Sequence, residues 1–189
     1  WVMVDEAHAF GVFGPTGAGL VEEQGLGDRV HVQMGTLSKA AGSFGAYCAG
    51  SRELIDYLVN SARSFIFTTA LPSAVVAASR EALGIIQTEP GRRERLFQNA
   101  DRLRRDIQAI GFDTLESVGP IIPVLLGEAR RALELSARLL EQGIFVPAIR
   151  PPTVPANTAR LRVTVSAAHI EEDLARCVEA FGKIVKGEG

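Results

Sequence analysis

Two short strand-like runs, each ending abruptly in polar side chains, constrain this chain more than any other feature. Trp1-Val2-Met3-Val4 is apolar at every position and gives way to Asp5-Glu6-Ala7-His8. Apolarity without alternation is the pattern of a parallel strand buried on both faces. Residues 30–34 read as a second strand and give way to Gly35-Thr36-Leu37-Ser38-Lys39-Ala40-Ala41-Gly42. Open α/β sheets collect ligands at the carboxyl ends of their strands. The polar residues at these two ends are therefore the first candidates for a site. A central strand also needs neighbours on both sides, so the sequence is expected to be the C-terminal part of a longer protein, entered in mid-domain.

Each candidate carries a chemistry and a plainer alternative. Lys39 at the end of a buried strand is costly unless its amine is paired or used. Desolvation lowers a lysine's pKa, and a neutral amine can attack a carbonyl to form a Schiff base. The alternative is a surface lysine in a glycine-rich turn. Thr36 and Ser38 offer hydroxyls at the same spot, which suits a phosphate, and Gly42 and Gly45 let the backbone pass close to a ligand. Asp5 requires a cationic or hydrogen-bonding partner. A protonated pyridine nitrogen is one, and keeping it protonated makes the ring a better electron sink; otherwise Asp5 caps a turn. His8, three residues on, can reach a substituent of such a ring. Thr68 and Thr69 serve a phosphate or end a strand. Arg160 and Arg162 share strand parity and hence a face. One arginine placed bidentately holds a substrate carboxylate, and solvated strand arginines are the alternative. His31 and His169 read as structural or exposed.

Bulk properties exclude several classes. The 189 residues are 47% hydrophobic and 22% charged, enough for a sizeable core. A net charge of -2 leaves no electrostatic footprint for nucleic acid or an anionic membrane. Cys48 and Cys177 lack metal-type spacing, and with three histidines and no Cys-x-x-Cys pair no metal site is expected. Free thiols fit a reducing, cytoplasmic setting. No apolar run approaches the roughly 20 residues of a membrane span.

Along the chain, helices are expected at 20–24, 52–62, 74–88, 92–110, 128–141 and 171–186, and strands at 45–49, 65–67, 121–126, 144–148 and 161–165. Ser73 is the expected cap of the 74–88 helix. Leu96, Leu103, Ile107 and Ile110 form the stripe of the next helix, and Gly111 its left-handed C-cap. Leu174, Val178, Phe181 and Val185 line the last one. A domain boundary near Pro90-Gly91 divides residues 1–88 from a small α+β unit at 89–189. Gly14-Pro15-Thr16-Gly17-Ala18-Gly19 lacks the Lys-Ser/Thr of a phosphate loop and reads as a flexible turn over a site. An apolar strand followed by Asp-Glu-Ala-His also resembles the ATP-hydrolysis motif of helicases. No Ser-Ala-Thr element follows it, and the residues after Lys39 are too few and too differently patterned for a second motor domain.

Taken together, Asp-x-x-His after one strand and Thr-Leu-Ser-Lys after the next resemble the fold-type I pyridoxal-phosphate enzymes, and more narrowly the α-oxoamine synthases. Ser64-Phe65-Ile66-Phe67-Thr68-Thr69-Ala70-Leu71-Pro72 is similar to that family's segment before its linker helix. Ile149-Arg150-Pro151-Pro152-Thr153-Val154-Pro155, with Thr158-Ala159-Arg160-Leu161-Arg162-Val163-Thr164, resembles the branch that condenses L-alanine with a pimeloyl thioester in biotin synthesis.

The resemblance implies an α/β fold: part of a large pyridoxal-phosphate-binding domain followed by a small α+β domain. It implies that Lys39 forms the Schiff base with pyridoxal 5'-phosphate and then acts as acid and base. Asp5 would pair with the ring nitrogen, His8 with the ring's phenolic oxygen, and Thr36 with the phosphate, Ser38 being second to it. Thr68 or Thr69 would reach the phosphate of the neighbouring subunit of a homodimer. Arg162 would hold the substrate α-carboxylate and Thr153 would lie near substrate, with Arg150 ranked lower. The implied reaction is a decarboxylating condensation of L-alanine with an acyl-CoA or acyl carrier protein thioester. The sister enzymes glycine C-acetyltransferase, 5-aminolevulinate synthase and serine palmitoyltransferase are the alternatives.

Overall fold

The computed structural model describes residues 1–187, apart from the side chains of residues 185 and 186. The expected place of Val185 on the last helix therefore lies outside what is described. The chain divides into two compact units, Trp1–Arg93 and Glu94–Gly189.

In the first unit, β1 (Met3–Asp5), β2 (Val32–Thr36) and β3 (Ala46–Gly50) form a sheet in the order β1-β2-β3. β1 runs parallel to β2, with Asp5 opposite Met34, and β3 runs antiparallel to β2, with Tyr47 opposite Gly35. Between β1 and β2 lie a glycine-rich loop, the short helix α1 (Leu20–Glu23) and a 3-10 turn at Gly27–Arg29. After β3 come α2 (Arg52–Ser61), α3 (Arg63–Ile66) and α4 (Ser73–Thr88). Ser51 caps α2 by accepting from the Leu54 amide at 3.2 Å, a bond generally worth about 1 kcal/mol.

Several expectations fail here for identifiable reasons. Within this chain Trp1 is 90% exposed, and Val2 and Met3 are exposed too. Among the described residues β1 bonds only to β2. β2 begins at Val32 and extends to Thr36, which moves Thr36 into the strand. Phe65-Ile66-Phe67 is no strand. With no partner strand to bond, its amides turn back locally: Ile66 donates to the Ala62 carbonyl at 3.0 Å and Phe67 to Arg63 at 3.0 Å. Phe65 and Phe67 stay exposed, with the Arg63 guanidinium 5.6 Å from the centre of the Phe67 ring. Ser73 is the first residue of α4 and not its cap. Pro72 holds that position, its carbonyl accepting from Val75 and Val76.

α5 (Pro90–Ala109) opens with Pro90, where a missing N–H costs nothing. The second unit continues with β4 (Ile121–Gly127), α6 (Ala129–Glu141), β5 (Ala148–Ile149), β6 (Ala159–Thr164) and α7 (Glu171–Lys186). Its sheet has the order β4-β6-β5, antiparallel throughout. β6 alternates: Ala159, Leu161 and Val163 are buried, Arg162 and Thr164 exposed. The buried face packs with Ile122 and Val124 of β4, Leu103 and Ile107 of α5, Leu135 and Leu139 of α6, and Phe181 and Ile184 of α7. Each such side chain contributes about 1.5–3 kcal/mol by leaving water. β5 shares only Ala148 with the expected 144–148 strand, and residues 144–147 are not strand. Pro147 has no N–H to donate, and its carbonyl takes the Arg162 amide at 3.0 Å as β5 begins.

Candidate active site

Parallel pairing of β1 with β2 puts their carboxyl ends side by side. Asp5 lies opposite Met34, and the Glu6 amide donates to the Met34 carbonyl at 2.7 Å. The turn carrying His8 and the segment carrying Thr36, Ser38 and Lys39 therefore leave neighbouring strands at the same end of the sheet. They also touch further out: a Cβ on Gly11 would come within 2.7 Å of the Ala40 Cβ.

The lysine loop is closed on itself and anchored. Leu37 donates to the Gly45 carbonyl at 2.9 Å, Ser43 to Leu37 at 2.8 Å, and Gly42 to Lys39 at 3.0 Å. Gly42 (φ 58°) and Gly45 (φ 104°) make the bends. Ser43 Oγ then meets Ser79 Oγ of α4 at 2.8 Å, and Ser79 Oγ donates to the Val75 carbonyl at 2.9 Å. Backbone and hydroxyls thus hold the loop, while the Lys39 amine has no hydrogen bond or ion pair among the described residues. Lys39, Asp5 and His8 are all exposed among the described residues.

The donor set can be matched against the group that the sequence motifs imply. Asp5 Oδ1 accepts from the Ala7 amide at 2.8 Å, which leaves Oδ2 for an N–H donor. Thr36 Oγ1 donates to the Gly45 carbonyl at 3.0 Å, accepts from the Ser38 amide at 3.2 Å, and lies 2.7 Å from Ser38 Oγ. An amine, a carboxylate with one free oxygen and a pair of coupled hydroxyls fit an aldehyde, a protonated ring nitrogen and a phosphate. Thr68 and Thr69 are exposed in an irregular segment, and Leu71, two residues on, comes within 3.0 Å of where a Gly45 Cβ would be.

Thr153, Arg150 and Arg162 belong to the second unit. Arg162 stands on the exposed face of the central strand β6, opposite Pro123 of β4. Arg160 shares that face, its Nε donating to the Thr158 carbonyl at 2.9 Å. Thr153 is exposed, and its amide donates to the Arg150 carbonyl at 3.1 Å.

The loop over residues 11–19 is a tied structure instead of a flexible turn. Thr16 donates its hydroxyl to Glu22 at 2.7 Å, the Ala18 amide donates to Glu22 at 3.1 Å, and the Gly14 amide to Glu23 at 3.2 Å. Arg93 donates to the carbonyls of Pro15 at 2.8 Å and Ile86 at 2.5 Å. Burial alone would raise the Glu22 carboxyl. The Thr16 hydroxyl, the Ala18 and Thr16 amides and the Arg93 charge outweigh it and hold the group below its ordinary value. With these amides committed to carboxylates, the loop offers no phosphate cradle.

Reading the sequence also missed Glu6, Tyr47, Ser79 and Arg93. For Glu6 a signal existed: strand alternation puts it on the face opposite Asp5, so two adjacent acids could not share one role. For Ser79 none did, since its partner Ser43 is 36 residues away.

Residues 1–181 match the family model for aminotransferase class I and II. The chain is 52% identical over 190 aligned residues to an 8-amino-7-oxononanoate synthase of Geobacter metallireducens, an alignment covering 100% of this chain and 49% of that protein. The chain thus spans about half the length of the curated relatives it matches. Among solved structures, the serine palmitoyltransferase of Sphingomonas wittichii superimposes with a TM-score of 0.93 at 32% identity, over 98% of this chain and 47% of that one. The 8-amino-7-oxononanoate synthase of Francisella tularensis does so with a TM-score of 0.83 at 30% identity, over 98% and 55%.

Proposed function

Because the chain belongs to the aminotransferase class I and II family, we propose that it is part of a pyridoxal-phosphate-dependent acyltransferase. The reaction joins Cα of L-alanine to the acyl carbon of pimeloyl-CoA, or of a pimeloyl carrier protein. Thiol and carbon dioxide leave, and the product is 8-amino-7-oxononanoate. The observation that carries this reading is the β1/β2 pairing, which sets the Asp5–His8 turn beside the Thr36–Lys39 segment. The relatives' names support it from outside the structure.

When bound, pyridoxal phosphate supplies an aldehyde for an amine and a protonated ring that draws electrons from a substrate's Cα. In this reading Lys39 Nζ holds the cofactor and later takes and returns the Cα proton. The free oxygen of Asp5 keeps the ring nitrogen protonated, and His8 orients the ring through its phenolic oxygen. Thr36, seconded by Ser38, donates to the phosphate, and doing so displaces one of the bonds within the Thr36–Ser38–Gly45 cluster. Thr68 or Thr69 serves the phosphate of the neighbouring subunit in a cytoplasmic homodimer. Arg162 grips the α-carboxylate, which its planar fork can do bidentately, and Thr153 lines the substrate. Residues 1–88 act as part of the cofactor domain and 89–189 as the small domain. Among the described residues no helix is long and apolar enough to cross a membrane, and the substrates are water-soluble thioesters and amino acids.

The test is thiol release by the full-length polypeptide that carries this sequence, with added pyridoxal phosphate. L-Alanine with a pimeloyl thioester is compared with glycine and acetyl-CoA. Preference for the first pair is expected. Preference for the second would transfer the protein to glycine C-acetyltransferase or another sister α-oxoamine synthase, with the Lys39 chemistry retained.

A further inference from the structure

Glu6 is 1% exposed, and it is the one buried charged side chain among the described residues. Burying a carboxylate is costly unless its lone pairs are met. Here they are met by main chain: Oε2 accepts from the Leu20 amide at 2.9 Å and Oε1 from the Val21 amide at 2.7 Å. No lysine or arginine among the described residues forms an ion pair with it.

The backbone of Glu6 is equally committed. Its amide donates to Met34 of β2 at 2.7 Å. Its carbonyl accepts from Ala9 at 2.9 Å and Phe10 at 2.7 Å, closing the turn that carries His8. One residue thus fastens three pieces: the strand leading to Lys39, the His8 turn and the start of α1. Asp5 precedes it and His8 follows two residues later.

The neighbours are shaped around this carboxylate. Gly19 has φ 126° and ψ -167°, a conformation open essentially to glycine alone. A Cβ there would lie 2.6 Å from both the Glu6 carboxyl carbon and Oε2. Tyr47 on β3 packs edge-on against Phe10, with ring centres 5.1 Å apart. Burial, and then the charge of Glu6, raise its hydroxyl above the ordinary tyrosine value, so it stays a neutral phenol beside the carboxylate.

We infer that Glu6 is a positioning residue: by clamping the amides of Leu20 and Val21 it fixes the turn that presents Asp5 and His8 to the cofactor ring. The inference rests on the pyridoxal-phosphate reading given above. A buried glutamate that served only to order the glycine loop would do the same work as Glu22, which ties that loop from its other side through Thr16 and Ala18. The two roles can be separated.

The experiment titrates full-length wild-type, Glu6→Gln and Glu22→Gln proteins with pyridoxal phosphate, following its visible absorbance, and records the pH midpoint of that band. Thermal midpoints without cofactor are taken alongside. Glutamine keeps the shape of Glu6 but turns an N–H2 toward a backbone N–H, so one bond is lost. Glu6→Gln is expected to raise the cofactor Kd about tenfold, the equivalent of one charge-assisted hydrogen bond, and to shift the pH midpoint. Glu22→Gln is expected to leave the Kd within about twofold and the pH midpoint in place while lowering the thermal midpoint. An unchanged Kd and pH profile in folded Glu6→Gln would overturn the inference, as would equal weakening in Glu22→Gln. If Glu6→Gln does not fold, Gly19→Ala displaces the same carboxylate from the other side and must reproduce the weakened binding; a wild-type Kd there overturns the inference. Failure of the wild-type protein to bind pyridoxal phosphate would instead remove the functional reading and this inference with it.

Discussion

In the second unit, apolar side chains close on one another. Phe181, Ile107, Ile122, Leu139 and Leu161 are fully buried, and Phe112 meets Phe181 edge-to-face with ring centres 5.3 Å apart. In the first unit only Ala9, Phe10 and Val21 are buried apolar residues among those described, while Trp1, Phe44, Phe65 and Phe67 stand exposed. The buried groups that stand out there are polar, Glu6 and Ser79. The second unit takes its shape from hydrophobic burial. Within the span of this chain the first is held by hydrogen bonds and by glycines in left-handed conformations, and it carries the lysine, aspartate and histidine of the candidate site. Polar anchoring fixes direction where apolar packing fixes mainly volume.

The sharpest way to break that contrast is to remove the largest buried ring. Phe181→Ala is expected to destabilise the protein by about 3–5 kcal/mol in chemical denaturation. A loss below about 1 kcal/mol would mean that the second unit does not depend on its core as described. The corresponding cut in the first unit is smaller. Ser79→Ala removes one hydroxyl of the pair that ties the lysine loop to α4, at a cost of about 1 kcal/mol. Faster amide exchange at Leu37 and Ser43 should accompany it, and unchanged exchange there would show that the loop does not need this anchor.

Much of this division is visible in the amino-acid order. The alternation at 159–164 and the stripe at Leu96, Leu103, Ile107 and Ile110 mark the second unit's sheet and helix because each element buries one face at its own period. Asp5, His8 and Lys39 could be proposed from the sequence because strand ends gather polar groups, and the β1/β2 pairing sets their segments at one end of the sheet. What stayed hidden was set by partners distant in sequence. Phe65-Ile66-Phe67 has strand-forming side chains but no strand to join. Ser79 bonds a residue 36 positions away. Glu6 was overshadowed by the acid beside it.

The weakest expected effects concern titration. The bonds to Glu22 hold its folded carboxyl below the ordinary value of 4.5. They favour the tied loop above that pH and are lost as pH falls through the lower folded value. The amide shifts of Thr16 and Ala18 should therefore move with a midpoint below 4.5; a midpoint at or above it would contradict the network. In the second unit, burial pushes the Cys177 thiol up to about 11, so it remains a thiol at neutral pH and resists alkylation until unfolding. Cys177 should be alkylated only as the second unit unfolds, and its labelling in the folded protein would contradict its burial.

The most direct test of the central claim is chemical trapping of the cofactor. The full-length protein is incubated with pyridoxal phosphate, reduced with borohydride, digested and mapped by mass. Lys39, Lys183 and Lys186 are the lysines of this chain. The account predicts a phosphopyridoxyl group on Lys39, and loss of both label and visible band in Lys39→Ala. Label on Lys183 or Lys186, or on no residue of this chain, would contradict it.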